Sequence, residues 1–185
     1  GLLAAHPDMD ESRGFDKIRQ DYYRCICPRH PDSARIVLDL AAELASVFES
    51  DAIHAGCDEG LEIGRCERCR KTPVEDLFAD WVNGLNRGLK ARGIKTVYVW
   101  GDRLLDSKST YNGIFDCSDS GTAAALGKLD RDLVICDWHY SKRTKPYPSV
   151  GIFENAGFRT WIVTWCNADA AEAVVRSAEG QDHGS

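Results

Sequence analysis

A parallel α/β sheet is the fold class this chain predicts, and two observations predict it. Four short apolar runs, at 52–59, 96–102, 133–140 and 160–167, read as strands, the last three rich in β-branched or aromatic residues. Between them lie stretches with apolar residues at helical spacing. The order helix, strand, helix, strand argues for right-handed crossovers between parallel neighbours. The strands around Ile53, Val97, Val134 and Ile162 are therefore expected to lie side by side in that order.

The first helix is expected over 32–48, after Pro31, where Ile36, Val37, Leu40, Leu44, Val47 and Phe48 recur at offsets of three and four. Its apolar stripe should face a sheet. A second helix over 76–92 repeats the pattern with Leu77, Phe78, Trp81, Val82, Leu85 and Leu89, and Gly93 closes it. Two shorter candidates follow at 148–156 and 168–178. Each strand stops on polar or aromatic residues: Asp58 and Glu59, then Trp100 and Asp102, then Trp138, His139 and Tyr140, and finally Trp165 and Asn167. A (β/α)8 barrel distributes function in this way, with the loops after its strands forming the active face.

The first strand, Ala52-Ile53-His54-Ala55-Gly56-Cys57-Asp58-Glu59, delivers two adjacent carboxylates. Its His54, Gly56, Asp58 and Glu59 resemble the His-x-Gly-x-Asp-Glu pattern of family 20 glycoside hydrolases, the β-N-acetylhexosaminidases. There the pattern ends the fourth strand of a (β/α)8 barrel. The runs ending in Trp100-Gly101-Asp102 and Asp137-Trp138-His139-Tyr140 look like later strands of that family, where aromatic side chains wall the sugar site. The plainer alternative is an acid pair that caps a helix or faces water.

The resemblance implies a fold and its limits. A complete barrel takes about 250 residues, whereas this chain has 185. The four strands would correspond to strands four to seven, and Gly1 to Met9 resembles the loop after the third. An eighth strand would begin soon after Gly184. The expectation is one domain over 1–185, about half of a TIM-type barrel, whose open strand edges would be covered by a second copy or by the missing barrel half.

Retaining glycosidases commonly use two separated carboxylates, which adjacent residues cannot supply. The resembling family uses the substrate's own 2-acetamido oxygen as nucleophile, a substrate-assisted route that needs no cofactor. Carried over, Glu59 would be general acid and then base, and Asp58 would hold the acetamido N–H. Trp100, Trp138 and Trp165 would form an apolar wall that stacks on the sugar, with Trp81 and Trp161 in the core. Asp102 would contact sugar hydroxyls or cap a helix; Tyr140 and His139, at the tip after Trp138, would contact sugar or anchor the loop. His54 would support the acid pair. The implied partner is a carbohydrate ending in β-linked N-acetylhexosamine. Two departures stand out: Cys57 replaces a frequent glycine, and the family's first-strand arginine has no counterpart. The alternative function is a non-catalytic carbohydrate-binding or zinc-stabilised module on the same scaffold.

Composition narrows the classes further. The net charge of −6 and the shortness of basic runs such as 65–71 disfavour nucleic acid, which needs a broad basic face. No run approaches the roughly 20 apolar residues of a membrane span, and the first residues show no basic-then-apolar leader. A soluble chain with reduced thiols in the cytoplasm is the expectation. Eight cysteines still raise zinc as a rival. Cys66 and Cys69 form a Cys-x2-Cys knuckle with Cys57 and His54 upstream, and with Cys25, Cys27 and His30 farther back. A single residue between Cys25 and Cys27 is a poor bite for a shared metal. Cys117, Cys136 and Cys166 read as small hydrophobes near strand ends.

Overall fold

The computed structural model describes residues 1–13, 24–111, 115–141 and 147–181. Four strands, β1 (Ala52–His54), β2 (Thr96–Trp100), β3 (Val134–His139) and β4 (Arg159–Thr164), form a parallel sheet in the order β1-β2-β3-β4. The register pairs Ile53 with Val97, Val99 with Ile135, and Cys136 with Trp161. All three expected parallel pairings are present. The helices are α1 (Leu2–Ala5), α2 (Ser33–Val47), α3 (Val74–Lys90), α4 (Pro148–Asn155) and α5 (Ala168–Gln181), giving a mixed α/β architecture. Among the described residues no helix is long and apolar enough to cross a membrane.

β1 is shorter than the apolar run that contains it, because the backbone leaves the β region early. Pairing extends to Gly56, with Ala55 N–H on the Tyr98 carbonyl at 2.8 Å and Trp100 N–H on the Gly56 carbonyl at 3.0 Å. Then Gly56, Cys57 and Glu59 take φ of 72°, 71° and 45°. Two of these are not glycine, so the turn carrying the acid pair is strained.

One face of the sheet is packed. Val97, Val99 and Ile135 meet Phe78, Val82 and Leu89 from α3 and Phe153 from α4, and Ile53 adds to the edge of this core. Burying each such side chain stabilises the fold by about 1.5–3 kcal/mol. Trp81 is partly buried against the same cluster, as expected. Gly101 is needed where β2 ends, since a Cβ there would lie 2.7 Å from the Phe153 ring and 2.9 Å from Ile135.

Two expectations about faces fail. α2 turns Leu38, Ala41 and Ala45 inward, while Leu40, Leu44 and Val47 are exposed and Phe48 is 74% exposed. The contact with α3 is close, Leu38 sitting where a Cβ on Gly88 would be 2.6 Å away. The small residues therefore go in and the larger stripe goes out. Trp161, expected in the core, is 59% exposed. Alternation along β4 sets it opposite Thr160 and Ile162, on the sheet's second face, with its ring 4.8 Å from that of Tyr98. His54 and Trp100 pair on this face too, their rings 4.3 Å apart.

Candidate functional site

The tips of β1, β2 and β3 converge on one buried carboxylate. Asp102 follows β2 after Gly101 and opens a short 3-10 turn, Asp102–Leu104. Its Oδ2 accepts the Nε–H of Arg103 at 2.7 Å and the backbone N–H of Glu59 at 3.0 Å. Its Oδ1 accepts the indole N–H of Trp138 at 3.4 Å. Arg103 is itself fully buried and donates onward to the carbonyls of Phe115 and Cys117 at 2.9 and 2.7 Å. Burial lifts the Asp102 carboxyl above its ordinary value, against the opposing pull of Arg103. Asp102 is thus the hub that fixes three strand tips.

Glu59 hangs from that hub. It lines a cavity of about 270 Å³ together with Trp138, His139, Tyr140, Phe115 and Asp116. Asp58, one residue earlier, lines a different and larger cavity of about 510 Å³, with Ala55, Cys57, Phe78, Trp81 and the N-terminal Leu2 and Leu3. The residues on either side of Asp58 are both left-handed, and the Asp58 carboxylate still acts on Tyr140 and Asp102.

The aromatic wall forms from three of the expected residues. The Tyr140 ring stands 4.8 Å from Trp138 and 5.6 Å from Trp165. Trp165 is 71% exposed. The Tyr140 phenol is held above its ordinary value, by burial first and then by the carboxylates of Asp58, Glu59 and Asp102. Trp100 is not part of this wall and pairs instead with His54. His54 acts locally, its Nδ1 accepting the Gly56 N–H at 3.0 Å. Burial lowers its pKa, while Asp58 works in the other direction.

His139 is a buried anchor. Its Nε2 meets Asp137 Oδ2 at 3.0 Å and Ser149 Oγ at 3.1 Å, and Tyr111 meets Ser149 at 2.8 Å. A nucleophilic triad would use both imidazole nitrogens and an accessible hydroxyl. Here both partners share one nitrogen and Ser149 is fully buried, so the group ties β3 to α4.

The thiols divide unexpectedly. Cys57 lies beside Asp58 and Asp102 with Trp81 as a hydrogen-bond partner, its thiol pushed up to about 12 by burial. Cys66 and Cys69 instead meet Cys27, at Sγ–Sγ distances of 3.4 and 3.6 Å, with Glu11 completing a tight group. Cys27 is thus the third thiol, despite its short spacing from Cys25, and Cys57 is not. His30 pairs with Asp8 at 3.1 Å. Cys117 and Cys136 are buried as expected, Cys166 is exposed, and all eight thiols are free.

Arg103, Glu11 and the pairing of Asp137 with Ser149 have no signal in the sequence, whereas Cys27 is visible there but discounted for its spacing from Cys25. An arginine after an aspartate ordinarily signals a solvated surface, and only the sheet geometry buries this one. Compared with protein-family models and with curated proteins, the chain matches none.

Proposed function

We propose that the chain carries the catalytic centre of a glycoside hydrolase removing terminal β-linked N-acetylhexosamine, on a sheet that is part of a (β/α)8 barrel. The observation that supports this most is the placement of Glu59, fixed at its backbone by Asp102 and facing a cavity walled by Trp138 and Tyr140. An acid on a strand tip beside aromatic rings suits proton delivery to a glycosidic oxygen while the rings stack on the sugar.

In this reading Glu59 protonates the leaving oxygen and later draws a proton from water. Asp58 holds the acetamido N–H so that the carbonyl oxygen attacks the anomeric carbon and an oxazoline forms. Leaving group and nucleophile occupy opposite sides of that carbon, which suits two acids that line separate cavities from one turn. Trp138, Tyr140 and Trp165 bind the sugar; Asp102, Arg103 and His54 position the turn.

A non-catalytic carbohydrate-binding module is the second reading, favoured by the exposure of Trp165. Two chromogenic N-acetylglucosaminides, one with a poor and one with a very acidic leaving group, separate the two. Glu59→Gln should lose at least about 10²-fold on the poor leaving group, the scale of general acid catalysis, and far less on the acidic one. Asp58→Asn should slow both. Wild-type rates in both variants on both substrates, or sugar binding without turnover, would transfer the site to the binding reading.

A further inference from the structure

We propose that Glu11, Cys27, Cys66 and Cys69 form a structural zinc site. One ligand atom from each lies within 4.8 Å of all the others. Zinc held by thiolates at about 2.3 Å sets tetrahedral sulfur–sulfur edges of about 3.8 Å. The Cys27 to Cys66 and Cys27 to Cys69 separations, 3.4 and 3.6 Å, are near that edge and far beyond the roughly 2.0 Å of a disulfide. Soft thiolates with one carboxylate select zinc over magnesium or calcium.

Independent support comes from Glu11. This carboxylate is fully buried, and its Oε1 accepts the Cys66 backbone N–H at 3.2 Å, while Oε2 has no hydrogen-bond partner among the described residues. Other buried carboxylates each meet a nitrogen base: Asp10 meets Arg24, Glu62 meets Arg65, Asp102 meets Arg103 and Asp137 meets His139. An unmatched buried carboxylate among thiols calls for a cation.

Both halves of the site are set up by backbone geometry. Glu11 and Cys27 are delivered by a short antiparallel pairing, Glu11 N–H on the Cys25 carbonyl at 3.0 Å and Cys27 N–H on the Met9 carbonyl at 2.7 Å. Cys66 and Cys69 sit on a knuckle closed by Cys69 and Arg70 N–H groups on the Cys66 carbonyl at 3.1 and 2.9 Å. Three thiolates and a carboxylate leave a divalent ion overcharged; the cleft at Cys66 is lined by Arg13, Arg65, Arg68 and Arg70 together with Asp8, Asp10 and Glu67, so cations slightly outnumber acids there. The apolar support is small, consisting of Leu77 with partly buried Ile63, so the metal is what joins the N-terminal segment to the loop between Glu59 and α3. None of this depends on the glycosidase reading.

The test is elemental analysis of the full chain, followed by cobalt(II) substitution read by absorption and by thiol titration. About one zinc per chain and thiolate-to-cobalt charge-transfer bands of a tetrahedral site are expected. Cys27→Ser and Cys69→Ser should lose the stoichiometric metal, Glu11→Gln should bind it more weakly in competition with a chelator, and Cys57→Ser should keep it. Should the serine variants fail to fold, the wild type alone decides: chelation must expose three further thiols to a thiol reagent in step with zinc release. Reduced wild-type chain that takes up no cobalt, a Cys66 to Cys69 disulfide in mass spectrometry, or full zinc in Cys27→Ser would overturn the proposal.

Discussion

Asp102 and Glu11 are both carboxylates with almost no solvent contact, and the molecule treats them differently. Asp102 has a fully buried guanidinium at 2.7 Å and two further N–H donors. Glu11 has one backbone N–H and three thiols. A buried charge without compensation costs several kcal/mol, so the contrast separates a site the protein completes itself from one that it leaves for an outside cation. The first lies beneath the strand tips and holds the candidate catalytic turn in place. The second lies on the loop side, where few apolar contacts are available.

The largest effect should come from breaking the internal pair. Arg103→Met leaves Asp102 buried without its cation and should cost about 3–5 kcal/mol in urea denaturation at neutral pH. The loss should shrink in acid, where Asp102 takes up a proton and needs no counter-charge. Asp102→Asn combined with Arg103→Met should be milder than Arg103→Met alone. A cost under about 1 kcal/mol for the single change would mean that Asp102 is not held as the distances indicate.

Metal removal addresses the other carboxylate. For a zinc present at about 1,000 times its dissociation constant, binding contributes about 4 kcal/mol, which for a chain of this size is about 8–16 °C in Tm. Calorimetry with and without a chelator should show a drop on that scale in the wild type and none in Cys27→Ser. An equal drop in both would locate the chelator's target elsewhere.

The smallest effect concerns pH. Burial raises the folded-state pKa of Asp102, so the folded chain holds its proton more tightly than the unfolded chain does. The associated stability is fully present below the unfolded value of about 3.9 and is lost as pH rises through the folded value. Asp102→Asn, which cannot titrate, should therefore gain on the wild type across that window, as measured by denaturation at several pH values. A difference that stays flat would argue that Arg103 cancels the burial.

Much of the architecture was legible because periodicity reports which residues lie on one side of an element. The four strands, their order and their parallel sense followed from that, and the ends of α2, α3 and α4 fall within two residues of expectation. Periodicity does not report what the side faces. That is why the larger apolar stripe of α2 reads as inward-facing, where Gly88 actually admits Leu38, and why Trp161 reads as core. In the candidate site, Glu59, Trp138, Tyr140 and Trp165 come together, since residues at the tips of adjacent strands must be neighbours. Asp58 lines a second cavity while its charge still reaches Tyr140, and Trp100 shares the sheet face of Trp138 but sits level with Cys136, two residues lower, where its ring pairs with His54. The thiol group was half legible: a knuckle is written in local spacing, but Cys27 and Glu11 reach it through an antiparallel pairing with no local signature.

The positive φ at Glu59 has a consequence for how this chain would drift under selection. A non-glycine residue in that conformation costs about 1–2 kcal/mol, and glycine removes the penalty while making the unfolded chain more flexible. Glu59→Gly should thus match or exceed the wild type in thermal stability even as it deletes the carboxylate. Lineages screened only for heat resistance would be expected to converge on glycine at this position, and those screened for turnover would keep glutamate. A library randomised at residue 59 and sorted both ways would show whether the acid persists for what it does or merely for how it folds.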